Sequence, residues 1–208
     1  LPIYEFIAAS IYKLPLAMLY YDKVNEGEYT LDSTFTYSGY MHEDAGVISS
    51  DYGIGSQVPL SDLLNDLIIY SDNDAGHILY ENLGGWKEYK EAMTKYTDTI
   101  SENYYTMDNV TTANTMNDVV TYLYDHKEDY KGLIKNMEEA EPGEYLDRDT
   151  QLSMPQKYGM YDSALNSVGF VECNTSYSIV VLTSLGDKGA DVMANINRIA
   201  YERSEERR

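Results

Sequence analysis

The sequence predicts an α+β protein in which a run of helices precedes a small antiparallel sheet. Apolar residues recur with helical spacing through most of the chain before Gln151, whereas three short segments after it alternate as strands do. A final segment, 188–201, returns to a helical period. Helices followed by a three-stranded meander and a closing helix form an order that is typical of the α+β class.

The first helix is predicted to follow Ser10, at the end of an apolar lead-in, and to end near Asn25-Glu26-Gly27. Ser10 stands where an N-cap or first-turn residue belongs. Lys13, three positions later, returns to the same face of a helix. The pair suits nucleophilic catalysis, because a serine hydroxyl attacks only when a nearby base takes its proton. Considered alone, it fits a capped amphipathic helix with an exposed lysine better.

Glycine, serine and aspartate are frequent in region 29–57, which predicts a long connection. Gly84-Gly85 predicts a helix stop, and the polar, aperiodic segment 97–109 predicts a loop. Thr111 or Thr112 is the expected cap of the helix after that loop. Five further helices are thus predicted at 60–70, 74–83, 86–96, 111–126 and 131–137.

Three strands are predicted at 154–160, 164–173 and 177–184, with turns at Asp162-Ser163 and Asn174-Thr175. The third is dense in β-branched residues, so we expect it to be the central, buried strand. We expect the charged tail, 202–208, to fray. The closing helix offers five apolar residues for packing: Ala190, Met193, Ala194, Ile196 and Ile199.

Composition excludes several functions for the 208 residues. Lys and Arg total 15 against 35 Asp and Glu, and the net charge of −20 disfavours nucleic acid and anionic membranes as partners. No apolar run is long enough to span a bilayer. Cys173 is the only cysteine and has no metal-ligand spacing, so we expect a buried apolar residue, no metal and no cofactor. His42, His77 and His126 have no motif context and are expected on the surface or in packing.

Three short motifs stand in a fixed order: Ser10-Ile11-Tyr12-Lys13, Ser71-Asp72-Asn73 and Lys157-Tyr158-Gly159. They resemble the Ser-x-x-Lys, Ser-Asp-Asn and Lys-Thr-Gly signature of the class A β-lactamase and penicillin-binding-protein superfamily. The resemblance covers almost the whole chain, including the helix before Ser71, the Gly84-Gly85 stop and the strand at 177–183.

The resemblance implies a single catalytic domain with the serine β-lactamase-like fold. An all-α lobe at about 14–145 would lie beside an α/β lobe made of 1–13 and 146–208, with the active site in the cleft between them. Two N-terminal strands that normally flank the meander are missing from this sequence. We therefore expect residues before Leu1, including the signal or anchor of an extracellular or cell-surface bacterial protein.

The resemblance also implies catalytic roles. Ser10 would be the acylated nucleophile, and Lys13 its base or proton relay. Ser71 would pass a proton towards the leaving nitrogen. Lys157 would supply positive charge for a substrate carboxylate and lower the pKa of its neighbours.

Further residues are implied to bind the substrate. Asn73 would hydrogen-bond its amide side chain, and Gly159 would let the strand edge approach it closely. The backbone N–H groups of Ser10 and Met160 would form the oxyanion hole. Asp72 is expected to turn inward and hold its own loop.

At two places the sequence departs from the family pattern, and both departures change the activity that we expect. Tyr158 stands where the family carries Thr or Ser, so we expect a bulky ring in the region of the carboxylate. The loop before Thr111 is short and lacks the family's deacylating glutamate pattern. Glu102 is the candidate that could replace it, with Asp108 further along, although a solvated loop acid is the simpler interpretation of Glu102.

The sequence therefore predicts a serine hydrolase that is acylated at Ser10 by β-lactams or related cell-wall amides and deacylates weakly. A D,D-peptidase-like or esterase-like enzyme acting on cell-wall peptide is the first alternative. A non-turnover module that binds β-lactams or cell wall is the second, although the intact set of Ser10, Lys13, Ser71 and Lys157 argues against it.

Overall fold

The computed structural model describes residues 4–39, 46–150 and 152–206. Its helices are α1 Lys13–Asn25, α2 Val47–Asp51, α3 Leu60–Ile69, α4 Asn73–Asn82, α5 Trp86–Met93, α6 Ala113–Asp125, α7 Lys131–Glu138 and α8 Lys188–Glu206. Its strands are β1 Phe6–Ile7, β2 Thr34–Thr36, β3 Gln57–Pro59, β4 Val110–Thr111, β5 Gln156–Tyr161, β6 Ala164–Val171 and β7 Tyr177–Thr183. Predicted and observed helices agree in order, with shifts of a few residues at their ends.

Helix α1 is the centre of the helical part of the molecule. All its residues from Lys13 to Tyr20 are buried, so the helix is enclosed on every side and not only along one face. Helices α3, α4, α5 and α7 pack around it. The lysine of the first motif therefore lies inside the protein, which contradicts the simpler interpretation of an exposed lysine on a surface helix.

The connection from α3 to α4 contains the second motif. Asp72 is the N-cap of α4, and its carboxylate accepts hydrogen bonds from the Ala75 amide at 2.8 Å and the Ile48 amide at 3.1 Å. Asp72 is 4% exposed, so the prediction of an inward-turned, structural aspartate is confirmed. The cap fixes where Ser71 and Asn73 emerge on either side of it.

Strands β5, β6 and β7 form an antiparallel meander in that order. The prediction that the third strand is central was wrong, because β6 lies between the other two and every residue of it is buried. Strand β7 pairs only with β6 among the described strands. The β-branched residues of β7 indicate that one face of the strand packs against the protein. An edge strand can have such a packed face just as a central strand does.

Two short strand pairs were not predicted. Strand β1 pairs antiparallel with β4, and β2 pairs with β3. Region 29–57 therefore contains regular structure at Thr34–Thr36 and Val47–Asp51, although we predicted only a connection there. Strands of two or three residues are too short to show an alternation in the sequence.

The closing helix is longer than predicted and continues to Glu206, so the expectation of fraying from residue 202 was wrong. Ser204 is buried, and its hydroxyl lies 3.2 Å from the Cys173 sulfur. Cys173 itself is only half-buried, which corrects the expectation of a core residue. Met193 and Ala194 pack inward, whereas Ile196 and Ile199 are exposed.

No helix in the described part of the chain is both long and apolar enough to cross a membrane. His77 is buried and its Nδ1 lies 2.7 Å from the Tyr80 hydroxyl, while His126 stacks on Tyr122. Both therefore have the packing roles expected of them. His42 lies outside the described residues.

Candidate active site

Ser10 lies in a tight turn between β1 and α1. Residues Ala9–Tyr12 form a short 3₁₀ turn, and the α-helix proper begins at Lys13, two residues later than predicted. Ala9, directly before Ser10, has φ +50°, a left-handed conformation that a residue with a Cβ adopts only when its surroundings hold it there. The backbone of the turn that carries Ser10 is therefore constrained.

Two asparagine side chains hold this turn. The Asn166 amide on β6 donates to the carbonyls of Ile7 at 2.8 Å and Ala8 at 3.0 Å. The Asn109 amide donates to the Ala9 carbonyl at 2.9 Å. Neither asparagine was singled out in the sequence, because an isolated Asn on a strand or in a loop carries no distinctive pattern.

Lys13 joins the first motif to the second. Its side chain is fully buried, and its amine donates to the Asn73 side-chain oxygen at 2.5 Å, to the Ser71 carbonyl, and to the Ser71 hydroxyl at 3.4 Å. Ser71 has φ +57°, which is unusual for serine and turns its backbone towards the lysine. A proton can therefore pass between the Lys13 amine and the Ser71 hydroxyl.

Strand β5 runs close beside the nucleophile turn. A methyl group at Gly159 would lie 2.6 Å from the Ser10 backbone nitrogen and 2.8 Å from that of Ile11, which is closer than a Cβ can approach. Glycine is therefore required at this position, as the resemblance implied. The next residue on the strand, Met160, lines the cleft.

Lys157 is fully buried, and its amine donates to the Tyr158 carbonyl at 3.0 Å. The same amine lies 4.0 Å from the centre of the Tyr158 ring, which in turn stacks on Tyr145 at 4.9 Å. Burial holds the pKa of Lys157 well below its ordinary value, and the positive charge of Lys13 lowers it further. Tyr158 is 8% exposed, so its ring covers the lysine instead of filling the open cleft, where we expected it.

The cleft beside Ser10 has a volume of about 600 Å³. Among the predicted site residues, Ser10, Asn73 and Met160 line it directly, whereas Lys13 and Lys157 lie beneath its wall. The wall is largely apolar with one carboxylate, and it is formed by Ile7, Ala9, Ser10, Tyr12, Asn73, Met107, Asp108, Asn109, Val110, Met160 and Tyr161. Within the described ranges, no group of three acidic, His or Cys side chains is arranged to hold a metal.

A sequence model of the β-lactamase enzyme family matches residues 2–204, almost the whole chain. The chain belongs to the β-lactamase enzyme family. No curated protein sequence matches it.

Solved structures share the fold of this β-lactamase-family chain at low sequence identity. A point mutant of PBP-A, solved as an acyl-enzyme complex with penicillin G, superposes with a TM-score of 0.83 at 18% identity, over 97% of this chain and 83% of that one. A β-lactamase from Sphaerobacter thermophilus gives 0.80 at 21% identity, over 97% and 84%. The TLA-3 extended-spectrum β-lactamase gives 0.79 at 18%, over 96% and 85%. The predicted serine β-lactamase-like fold is confirmed.

Glu102 does not reach the cleft of this β-lactamase-family chain. Its side chain is exposed, and it is not among the residues that line the cleft, because the loop folds so that Met107, Asp108 and Asn109 face Ser10 instead. The neighbouring Asn103 is fixed away from the site by hydrogen bonds to Glu5, at 3.1 and 2.7 Å. Asp108 is the acidic residue that the described loop brings to the cleft.

Proposed function

We propose that this chain is a serine hydrolase that is acylated at Ser10 by β-lactams or related cell-wall amides and releases the acyl group slowly. The observation that carries the proposal is the buried Lys13 amine. It binds both ends of the second motif and lies one helical turn after Ser10, and Ser10 and Asn73 both line the cleft. This arrangement supplies a nucleophile, a base and a proton relay at one place.

The chemistry follows from the positions of these groups. The Ser10 hydroxyl attacks the substrate carbonyl while its proton passes to the Lys13 amine. This step uses the molecules in which that amine is neutral, because the ammonium form that donates to Ser71 and Asn73 cannot take a proton. The developing oxyanion accepts hydrogen bonds from the backbone N–H groups of Ser10 and Met160. The carbon–nitrogen bond then breaks, and the leaving nitrogen takes its proton from the Ser71 hydroxyl, which Lys13 replenishes. The acyl group remains on Ser10 as an ester.

Release of this ester needs a water molecule and a base at hydrogen-bond distance. Asp108 is the acid that lines the cleft, and it is exposed to solvent. An exposed carboxylate on a loop is a poorer base than a buried and fixed one, because nothing desolvates or orients it. We therefore propose slow deacylation and a long-lived acyl-enzyme.

The covered Lys157 favours the esterase-like alternative over efficient capture of a β-lactam or of a peptide with a C-terminal carboxylate. The Tyr158 ring lies over its amine, and burial lowers its pKa, so it presents less positive charge to a carboxylate in the cleft. Substrates whose binding does not depend on a carboxylate would be acylated more readily. A substrate from the cell wall also agrees with the predicted location of the chain at the outside of a bacterium.

Two measurements on the wild-type protein test the proposal. Intact-mass spectrometry after incubation with penicillin G should show a single covalent adduct that the Ser10→Ala variant lacks. Nitrocefin turnover should be slow at steady state. An adduct that persists in Ser10→Ala would place the nucleophile elsewhere. Tight penicillin binding without any adduct would indicate the non-turnover binding module instead.

A further inference from the structure

Lys90 on α5 belongs to none of the three motifs, yet it lies buried beneath the loop that walls the cleft, with 3% of its surface exposed. Its amine donates to three backbone carbonyls of that loop: Tyr104 at 2.6 Å, Thr106 at 2.9 Å and Asp108 at 2.5 Å. An ammonium group has three N–H donors, so all of them are directed at this one loop.

The surroundings of Lys90 are suited to a cation. Three carbonyl acceptors match the three N–H groups of the ammonium form. Burial lowers the pKa of Lys90, and the negative charge of Asp108 opposes that effect. The ring centres of Trp86 and Tyr104 lie 5.2 and 5.1 Å from the amine, within the range of cation–π attraction. The Tyr104 hydroxyl donates back to the Lys90 carbonyl at 3.3 Å. Hydrogen bonds therefore connect the loop and α5 in both directions: from the Lys90 amine to the loop, and from the Tyr104 hydroxyl to the helix backbone.

The loop held by Lys90 is hydrogen-bonded directly to the turn that carries Ser10. Asn109 follows the last of the three carbonyls; its own carbonyl accepts from the Ala8 amide at 2.8 Å, and its side chain donates to the Ala9 carbonyl at 2.9 Å. Ala9 is the residue with φ +50° directly before Ser10. Lys90 is thus connected to the constrained turn by its hydrogen bond to Asp108, the peptide bond from Asp108 to Asn109, and the hydrogen bonds between Asn109 and residues 8 and 9.

We propose that Lys90 is a positioning residue for Ser10. By fixing the carbonyls of 104, 106 and 108, it sets the place of Asn109, which holds Ala9 in the left-handed conformation that aims the nucleophile. Lys90 itself does not touch the substrate. The inference rests on the proposed function in one respect, because its consequence is measured as the rate of acylation at Ser10.

Lys90→Met removes the charge and keeps most of the side-chain length. We expect the second-order rate of acylation by a fluorescent penicillin to fall about 10²-fold, the cost typical of displacing a reacting group by about 1 Å. Hydrogen exchange of the amides in 99–109 and 8–11 should accelerate in the absence of any substrate. Lys90→Arg keeps a cation and should recover part of the rate.

Lys87→Met is the matched control, because Lys87 lies on the same helix but its side chain is 71% exposed and pairs with Glu91 on the surface. Its acylation rate and exchange should equal those of the wild type. If Lys90→Met does not fold, Lys90→Arg alone decides, since a planar guanidinium cannot serve three converging carbonyls as the ammonium does. Wild-type acylation and wild-type exchange in that variant would overturn the proposal.

A double-mutant cycle with Asn109→Ala tests this connection. If Lys90 acts through Asn109, the double variant should acylate no more slowly than the slower single variant. Rate losses that multiply would overturn the proposal, because they would show two independent effects. Failure of the proposed function would give a different result, because the wild type would then form no adduct at all. Hydrogen exchange would still show whether Lys90 holds the loop and the turn in place.

Discussion

The Lys13 amine and the Asn73 side-chain oxygen lie 2.5 Å apart, although 60 positions separate them in the chain. This hydrogen bond fixes the base of the first motif against the substrate-facing side chain of the second. Asn73 also lines the cleft, so a substrate amide bound to it would be held in a fixed position relative to Lys13 and Ser10. Under the proposed function, the bond would link recognition of a substrate with the group that activates Ser10.

Lys13→Met should abolish most covalent labelling by a fluorescent penicillin. General-base assistance is typically worth 10²–10⁴-fold, and methionine cannot take a proton. The buried carbonyl of Ser71 and the Asn73 oxygen lose a donor, which costs about 1–3 kcal/mol, so the melting temperature should fall by several degrees without loss of the fold. Labelling rates and thermal melts measure the two effects.

Lys23→Met provides the control on the same helix. Lys23 forms a partly exposed ion pair with Glu28 and lies away from the cleft. Its labelling rate should match that of the wild type. Unchanged labelling in Lys13→Met as well would show that another group activates Ser10.

Asp108→Asn should lengthen the lifetime of the acyl-enzyme, whereas Glu102→Gln should not. Asp108 lines the cleft, while Glu102 is exposed outside it. We expect the deacylation rate, followed by intact mass after removal of excess penicillin, to fall roughly tenfold or less in Asp108→Asn. This is below the usual 10²–10⁴-fold range of general-base effects, because an exposed loop carboxylate is a poorly positioned base. A stalled acyl-enzyme in Glu102→Gln would restore Glu102 as the catalytic acid and require the loop to rearrange on acylation.

Tyr158→Thr should increase acylation by substrates with a carboxylate. The change removes the ring that lies over the Lys157 amine and introduces the hydroxyl that the family motif carries. Hydrogen bonds to charged groups are worth about 1.5–3 kcal/mol, so we expect a gain of roughly 10- to 100-fold in the acylation rate. Penicillin G and its methyl ester form a matched pair for the measurement. An equal gain for both would show that the ring acts by bulk alone.

The motifs could be predicted from the sequence because each is a local pattern on one element. Ser10 and Lys13 share a turn, and Asp72 caps the helix that begins at Asn73. The contacts between motifs could not be predicted in the same way. Lys90 lies between Tyr89 and Met93, with the spacing of the buried face of α5, but that spacing does not show which groups its amine binds. Only the tertiary path of the loop over α5 brings the three carbonyls to it.

Strand order was predicted wrongly for a related reason. The β-branched run at Tyr177–Thr183 indicates a strand with a packed face, but it does not tell whether a second strand lies on its other side. The central strand β6 contains Asn166, Ser167 and Gly169, residues that β propensity disfavours or ranks low. Two of them serve the site and the packing: Asn166 holds the nucleophile turn, and a methyl group at Gly169 would collide with the Pro155 carbonyl at 2.2 Å.

Asp66 on α3 should make the stability of the fold depend on pH. It is 8% exposed, and its backbone carbonyl accepts the amide of Asp72 at 3.0 Å. Burial raises the pKa of its carboxyl from 3.8 to about 7, with further contributions from the negative charges of Asp72, Asp62 and Asp51. The native protein therefore keeps a proton that the unfolded chain loses, and stability falls as the pH rises from about 4 to about 7.

Asp66→Asn replaces this carboxyl with a neutral group of the same shape and should remove the effect. At pH 8 the variant should melt about 2–4 °C or more above the wild type, since 1 kcal/mol produces a shift of that size in a domain of this length. The difference should shrink at pH 5 and vanish only below about pH 3, where the carboxyl is protonated in both states. Asp32→Asn, at an exposed position in the connection after α1, should show no such trend. A melting-temperature difference that is equal at pH 5 and pH 8 would mean that Asp66 is ionised in the native protein throughout this range.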